Sequence, residues 1–216
     1  MDRIVLGRAV DEEFAVTSAD TPSWEDPHPD GVVRDEEYSR CLDPGKYRIL
    51  AARADAWARV LVRLGLAEAE TVADPSAIWL RKPGVTVNDA VRLRPARSGA
   101  VPLVFGFSDI DEVPRTVLVL GAGEPAVDLE TIPDCGCDAC DDGSAHLIEM
   151  VDDVVFAVVS GTFVYVDAGQ GREIVDTGDG WSASDWGPAL PPVEEVVATA
   201  RAGRSPYGVV SGSAWW

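Results

Sequence analysis

LDPGKYRILAARADAWARVLVRLG, residues 42–65, is the stretch on which the fold class turns. Asp43 stands at an N-cap position, Pro44 at the first helical position, where a missing N–H costs nothing, and Gly65 follows as a stop. Tyr47, Leu50, Ala54, Trp57, Leu61 and Leu64 recur at spacings of three and four, which lays one apolar stripe along a helix. Arg48, Arg59 and Arg63 fall off that stripe. The pattern predicts a core helix over residues 43–64, and a stripe of this kind is core rather than a cofactor box.

Beyond the helix the period changes. AIWLR (77–81), AVRLRP (90–95), VPLVFGFS (101–108) and RTVLVLGAG (115–123) are short, β-branched or aromatic, and separated by turn residues, so they read as strands. VRLRP alternates apolar with charged and has one wet face, whereas TVLVLG is apolar on nearly every residue and belongs at a sheet centre. DDGSAHLIEMVDDVVFAVVSG (141–161) carries a second helical stripe through Leu147, Met150, Val151, Val154, Val155 and Val158, capped by Asp142 or Ser144 and ended by Gly161. TFVYVDAG (162–169) is a strand with REIVDTG (172–178) as its hairpin return, and PPVEEVVATARAG (191–203) is a short helix closed by Gly203.

The order of helix, strands, helix, strands, helix does not alternate as βαβ units do. It predicts an α+β fold: one domain over residues 36–216, with a largely antiparallel sheet of about five to seven strands carrying two to three helices on one face. Residues 1–35 read as an irregular N-terminal extension. TPSWEDPHPDGVV (21–33) is a loop anchored by Trp24, with His28 a surface imidazole. The closing tryptophans, Trp215 and Trp216, are too apolar for a frayed end, and on a strand they would point to opposite sides.

At 216 residues and 46% hydrophobic content the chain is long and apolar enough to bury a core. Its net charge of −19 argues against nucleic acid, whose binding depends on phosphate neutralisation. No apolar run is long enough for a membrane span, and the start shows no secretory signal, so the expected location is cytoplasmic. The charge is uneven: ten bases against five acids between Lys46 and Arg97, then thirteen acids against the single Arg115 between Asp109 and Asp153. The basic stretch lies against the acidic one, or the acidic surface is simply solvated, or an acidic face meets a basic protein partner.

The candidate chemistry sits in TIPDCGCDACDDGSAH, residues 131–146, which packs three of the four cysteines into six positions. In a reducing compartment such a cluster points to a metal, a redox couple or an inert turn. Zinc suits Cys135, Cys137 and Cys140, with His146 or water in the fourth position and Cys41 a poorer choice. On an extended chain the C-x-C side chains diverge, so Gly136 is expected to turn through positive φ. Asp134, Asp138, Asp141 and Asp142 would then be hydrogen-bond acceptors or helix caps rather than metal ligands. As a redox couple, Cys137 and Cys140 form a C-x-x-C pair with Cys135 as resolving thiol. GAGEPAV (121–127) lacks the third glycine of a dinucleotide fingerprint and reads as a turn.

PDCGCDACDDGS, DPGKYRILAARADAW and the closing GSAWW together resemble an uncharacterised actinobacterial family carried as a domain of unknown function. That resemblance covers residues 36–216, implies Cys135, Cys137 and Cys140 as a unit, and implies no activity. The functional expectation is a non-catalytic cytosolic module with a structural zinc turn and an acidic interaction surface. The alternative is a thiol- or metal-dependent enzyme working through the same three cysteines.

Overall fold

The computed structural model describes residues 2–216 and places helices α1 (Arg3–Thr17), α2 (Arg48–Arg63), α3 (Ser144–Val159) and α4 (Val193–Arg201) among ten strands. The strands are β1 (Ala67–Thr71), β2 (Trp79–Arg81), β3 (Asp89–Pro95), β4 (Leu103–Ile110), β5 (Val113–Gly123), β6 (Ala126–Ile132), β7 (Val164–Asp167), β8 (Glu173–Asp176), β9 (Trp181–Ser184) and β10 (Gly208–Ser211). The class is α+β, as the sequence predicts. Two corrections apply to its layout: the described residues form four α-helices, and their strands divide into two sheets.

The larger sheet runs β1-β3-β4-β5-β6-β2, antiparallel except where β2 joins β6 in parallel at one edge. The smaller runs β10-β7-β8-β9, antiparallel throughout. β5 lies in the interior of the larger sheet, and both its faces are covered, which is why its sequence is apolar at consecutive positions. Leu118, Leu120 and Ala122 face the main core, together with Phe105 and Phe107 of β4. Val119 faces the other way, into a smaller cluster under Trp79 and Val87. There the indole of Trp79 comes close to the sheet backbone: a Cβ on Gly121 would stand 2.5 Å from its ring.

α2 packs on the main-core face of the larger sheet. Tyr47, Leu50, Ala54, Trp57 and Leu61 are buried there as the stripe requires. Leu64 is 44% exposed, against expectation, because the chain has already begun to turn. Gly65 at φ 69° closes the helix, the N–H of Leu66 returns to the carbonyl of Leu61, and Leu66 takes the buried place. At the other end, Pro44–Tyr47 is a 3₁₀ turn, and the α-helix begins only at Arg48.

Residues expected to be irregular contain α1, whose pattern conceals it: Leu6 and Val10 are buried, whereas Ile4, Val5 and Val16 are exposed, so no clean stripe exists. α1 is tied to α2 by Glu13 with Arg59 and Arg63, and to α3 by Arg3 with Asp153. Asp11 of α1 and Asp152 of α3 converge on Arg53 of α2, which is 3% exposed. Burial disfavours the guanidinium charge, but hydrogen bonds to Asp152 and Asp11 outweigh it and hold its pKa up.

The smaller sheet is wedged between the main core and α4. Tyr165 and Val175 face inward, and Val164, Val166 and Ile174 meet Val193, Val196, Val197 and Ala200 of α4. The C-terminal segment beyond β10 is docked rather than frayed. Trp215 is 2% exposed and its N–H donates to the carbonyl of Val159 at 2.9 Å. Trp216 is half-buried, its carbonyl accepting from Arg97, and neither tryptophan lies on a strand.

Lys46 with Asp141, Arg53 with Asp152, and Arg92 and Arg94 with Glu124 join the basic stretch to the acidic one. Part of the charge asymmetry is therefore internal complementation. Among the described residues no helix is long and apolar enough to cross a membrane.

Candidate metal centre

β6 ends at Ile132, fully buried, and the cysteine turn begins two residues later. The segment must curl because it is held at both ends, by β6 before it and α3 after it. A single 3₁₀ turn, Asp138–Cys140, forms at its centre, with the N–H of Cys140 donating to the carbonyl of Cys137 at 3.1 Å. This places the sulfurs of Cys135, Cys137 and Cys140 all within 4.8 Å of one another, with Cys135 Sγ 3.1 Å from Cys137 Sγ. Cys137 is buried, and Cys135 and Cys140 are exposed.

Gly136 permits the C-x-C convergence for a reason other than the expected one. It does not adopt positive φ. A Cβ on it would sit 2.5 Å from Cδ1 of Ile110, so what matters is the lack of a side chain at a close approach.

The turn is clamped onto residues 24–46 through two of its aspartates. The backbone N–H of Asp138 donates to the carbonyl of Arg40 at 2.8 Å, and its carboxylate accepts from the Leu42 N–H and from Arg40 Nε, both at 3.0 Å. Asp141 is the more deeply placed, its side chain 1% exposed. Its carboxylate accepts from Trp24 Nε1 at 2.8 Å, Lys46 Nζ at 2.5 Å and the Gly143 N–H at 3.0 Å. Trp24 meets Tyr47 edge to face at 5.7 Å, and Lys46 lies over both rings. Burial, and then the nearby Asp141 charge, push the Tyr47 phenol well above its usual pKa.

α3 starts at this clamp. Its N-cap is Gly143 at φ 85°, not Asp142 or Ser144. The N–H and hydroxyl of Ser144 instead meet the Trp24 carbonyl, and the Trp24 N–H donates back to the Ser144 hydroxyl at 3.0 Å. A side chain at Gly143 would strike the backbone of Asp26 at 2.7 Å.

The three thiols are not equivalent. Burial opposes a Cys137 thiolate, yet hydrogen bonds from Cys135 and Cys140 and from the N–H groups of Cys140 and Ala139 prevail and lower its pKa. Cys140, donating to Cys137, is pushed up to about 12. The cluster therefore favours one thiolate flanked by donors, and a metal would displace the remaining protons. The donor set, three soft sulfurs on a short turn, suits zinc.

The other residues singled out in the sequence lie outside the sulfur group. Cys41 is half-buried, its thiol pushed up mainly by burial, and it is not among the converging ligand atoms. His146 is exposed in the first turn of α3 and is not among them either. Asp134 and Asp142 are exposed. His28 is no surface imidazole: its side chain is 15% exposed and lies 3.3 Å from Glu37. It shares with Glu37, Arg40, Lys46, Asp138 and Asp141 a cavity of about 270 Å³ beside the turn. No periodic pattern marks this cluster, since its members lie in loops and short 3₁₀ turns.

No curated protein and no solved structure matches the chain. A family model described as a family of unknown function (DUF6226) matches residues 10–216, reaching back into α1, and the chain belongs to that family.

Proposed function

We propose that this chain is a non-catalytic cytosolic module in which Cys135, Cys137 and Cys140 hold one zinc ion, and in which the acidic surface receives a basic protein partner. The observation that carries the metal reading is the convergence of three sulfurs within 4.8 Å on a six-residue segment. The position of the turn supports a structural role. Asp138 and Asp141, interleaved with the ligands, clamp residues 24–46 to the start of α3, so a metal there would fix the seam between the N-terminal segment and the sheet. Asp111, Glu112, Asp134, Asp142 and Glu149 are exposed and carry no ion pair among the described residues, which supports an acidic docking face. The charge of −19 argues against nucleic acid as a partner.

A second reading draws on a separate observation, the 3.1 Å approach of Cys135 Sγ to Cys137 Sγ beside a thiol with lowered pKa. It makes the turn a dithiol oxidoreductase site. Treatment with a chelator separates the two. The zinc module loses one metal per chain and a measurable part of its melting temperature. The redox protein is unaffected by chelator and forms a reversible disulfide with a glutathione buffer.

A further inference from the structure

Three thiolates leave a tetrahedral zinc one ligand short. The chain's other donors do not make up the set: among the described residues, the ligand atoms gathered at this place are the three sulfurs. The carboxylates inside the motif are engaged elsewhere, Asp138 with Arg40 and Leu42, and Asp141 with Trp24, Lys46 and Gly143. Two of the three ligand residues, Cys135 and Cys140, are exposed, so a ligand from solution can reach the sulfur group.

We propose that this fourth position takes a neutral nitrogen donor of the imidazole class supplied by another molecule. The proposal rests on the zinc reading above. Electrostatics selects the donor: zinc with three thiolates already carries one negative charge, within a chain of net charge −19. An anionic ligand would be repelled, whereas imidazole adds no charge and is a preferred zinc donor. The exchange is balanced. The bond from zinc to a bound water breaks, the bond from zinc to the imidazole nitrogen forms, water leaves, and neither a proton nor an electron is transferred.

Cobalt(II) in place of zinc makes the exchange visible. The protein, and its Cys41→Ser and His146→Gln variants, would be loaded with cobalt and titrated with imidazole. The expected result is thiolate-to-cobalt charge transfer that persists throughout, with a saturable shift of the visible ligand-field bands at one imidazole per metal, alike in all three proteins. A parallel titration with a peptide containing a single histidine assigns the source: saturation about tenfold lower than with imidazole places the donor on a protein, and equal affinity places it on a free small molecule. Charge transfer with no response to imidazole would overturn the proposal while leaving the metal reading in place. Absence of charge transfer would overturn both.

Discussion

The indole N–H of Trp24 donates to the Asp141 carboxylate at 2.8 Å, across 117 residues of chain. One hydrogen bond thus joins an N-terminal loop without regular structure to the residue that follows the last cysteine of the turn. Lys46 completes the arrangement from the 3₁₀ turn ahead of α2, so three distant segments meet on one buried carboxylate.

Trp24→Phe keeps the ring contact with Tyr47 and removes the donor. It is expected to cost about 1.5–3 kcal/mol, the range for a hydrogen bond to a charged group. Asp141→Asn leaves the largely buried Lys46 without its counter-charge and is expected to cost more, about 3–5 kcal/mol. Denaturant unfolding of the two variants checks the order; an Asp141→Asn variant as stable as the parent protein would mean the clamp is not a stabilising feature.

Trp57 is fully buried in α2, stacks edge to face on Phe156 at 4.8 Å, and donates to Asp152 at 2.7 Å. Trp57→Ala is expected to lose about 3–5 kcal/mol. Trp57→Phe should retain most of the packing and lose mainly the hydrogen bond. Equal melting temperatures for Trp57→Ala and the parent would contradict the placement of α2.

In metal-free protein Cys137 and Cys140 should titrate in separated steps. Cys137, with its pKa lowered, forms a thiolate below the ordinary range, whereas Cys140 holds its proton to about 12. The stabilising contribution of the Cys137 thiolate is present above the unfolded thiol pKa and is lost as pH falls through the lowered folded value. That of protonated Cys140 is present below the unfolded pKa and is lost as pH rises through the raised one. Ultraviolet absorbance of the thiolate against pH follows this directly, and Cys137→Ser should abolish the early step.

Gly161 ends α3 at φ 74°, and a Cβ on it would stand 2.5 Å from the backbone nitrogen of Ala214. Gly161→Ala should therefore both strain the helix end and displace the C-terminal segment, costing more than about 1 kcal/mol. Deleting residues 214–216 removes the buried Trp215 and should lower the melting temperature further. An unchanged melting curve after the deletion would show that the tail contributes nothing to the core.

The parts of this fold that were legible in the sequence are those in which burial imposes a period. The stripe of α2, the continuous apolar run of β5 and the glycine stops at Gly65 and Gly161 could be read because each satisfies a local rule. α1 was hidden because it buries just Leu6 and Val10 deeply and secures the rest of its position through ion pairs. β1 (AEAET) and β9 (WSAS) were hidden because strands at or near a sheet edge need little apolar content. The division into two sheets depends on which strands pair, which no local pattern encodes. At the candidate site the three cysteines were legible from spacing alone. Their clamp was not, since Trp24, Arg40 and Lys46 reach Asp138 and Asp141 from about a hundred residues away.

The most direct test of the central claim is metal content measured by atomic emission on protein purified without chelator, paired with native thiol counting. One zinc per chain is expected, with three thiols that become reactive only after the metal is removed. Three freely reactive thiols in fully folded, metal-free protein would contradict it.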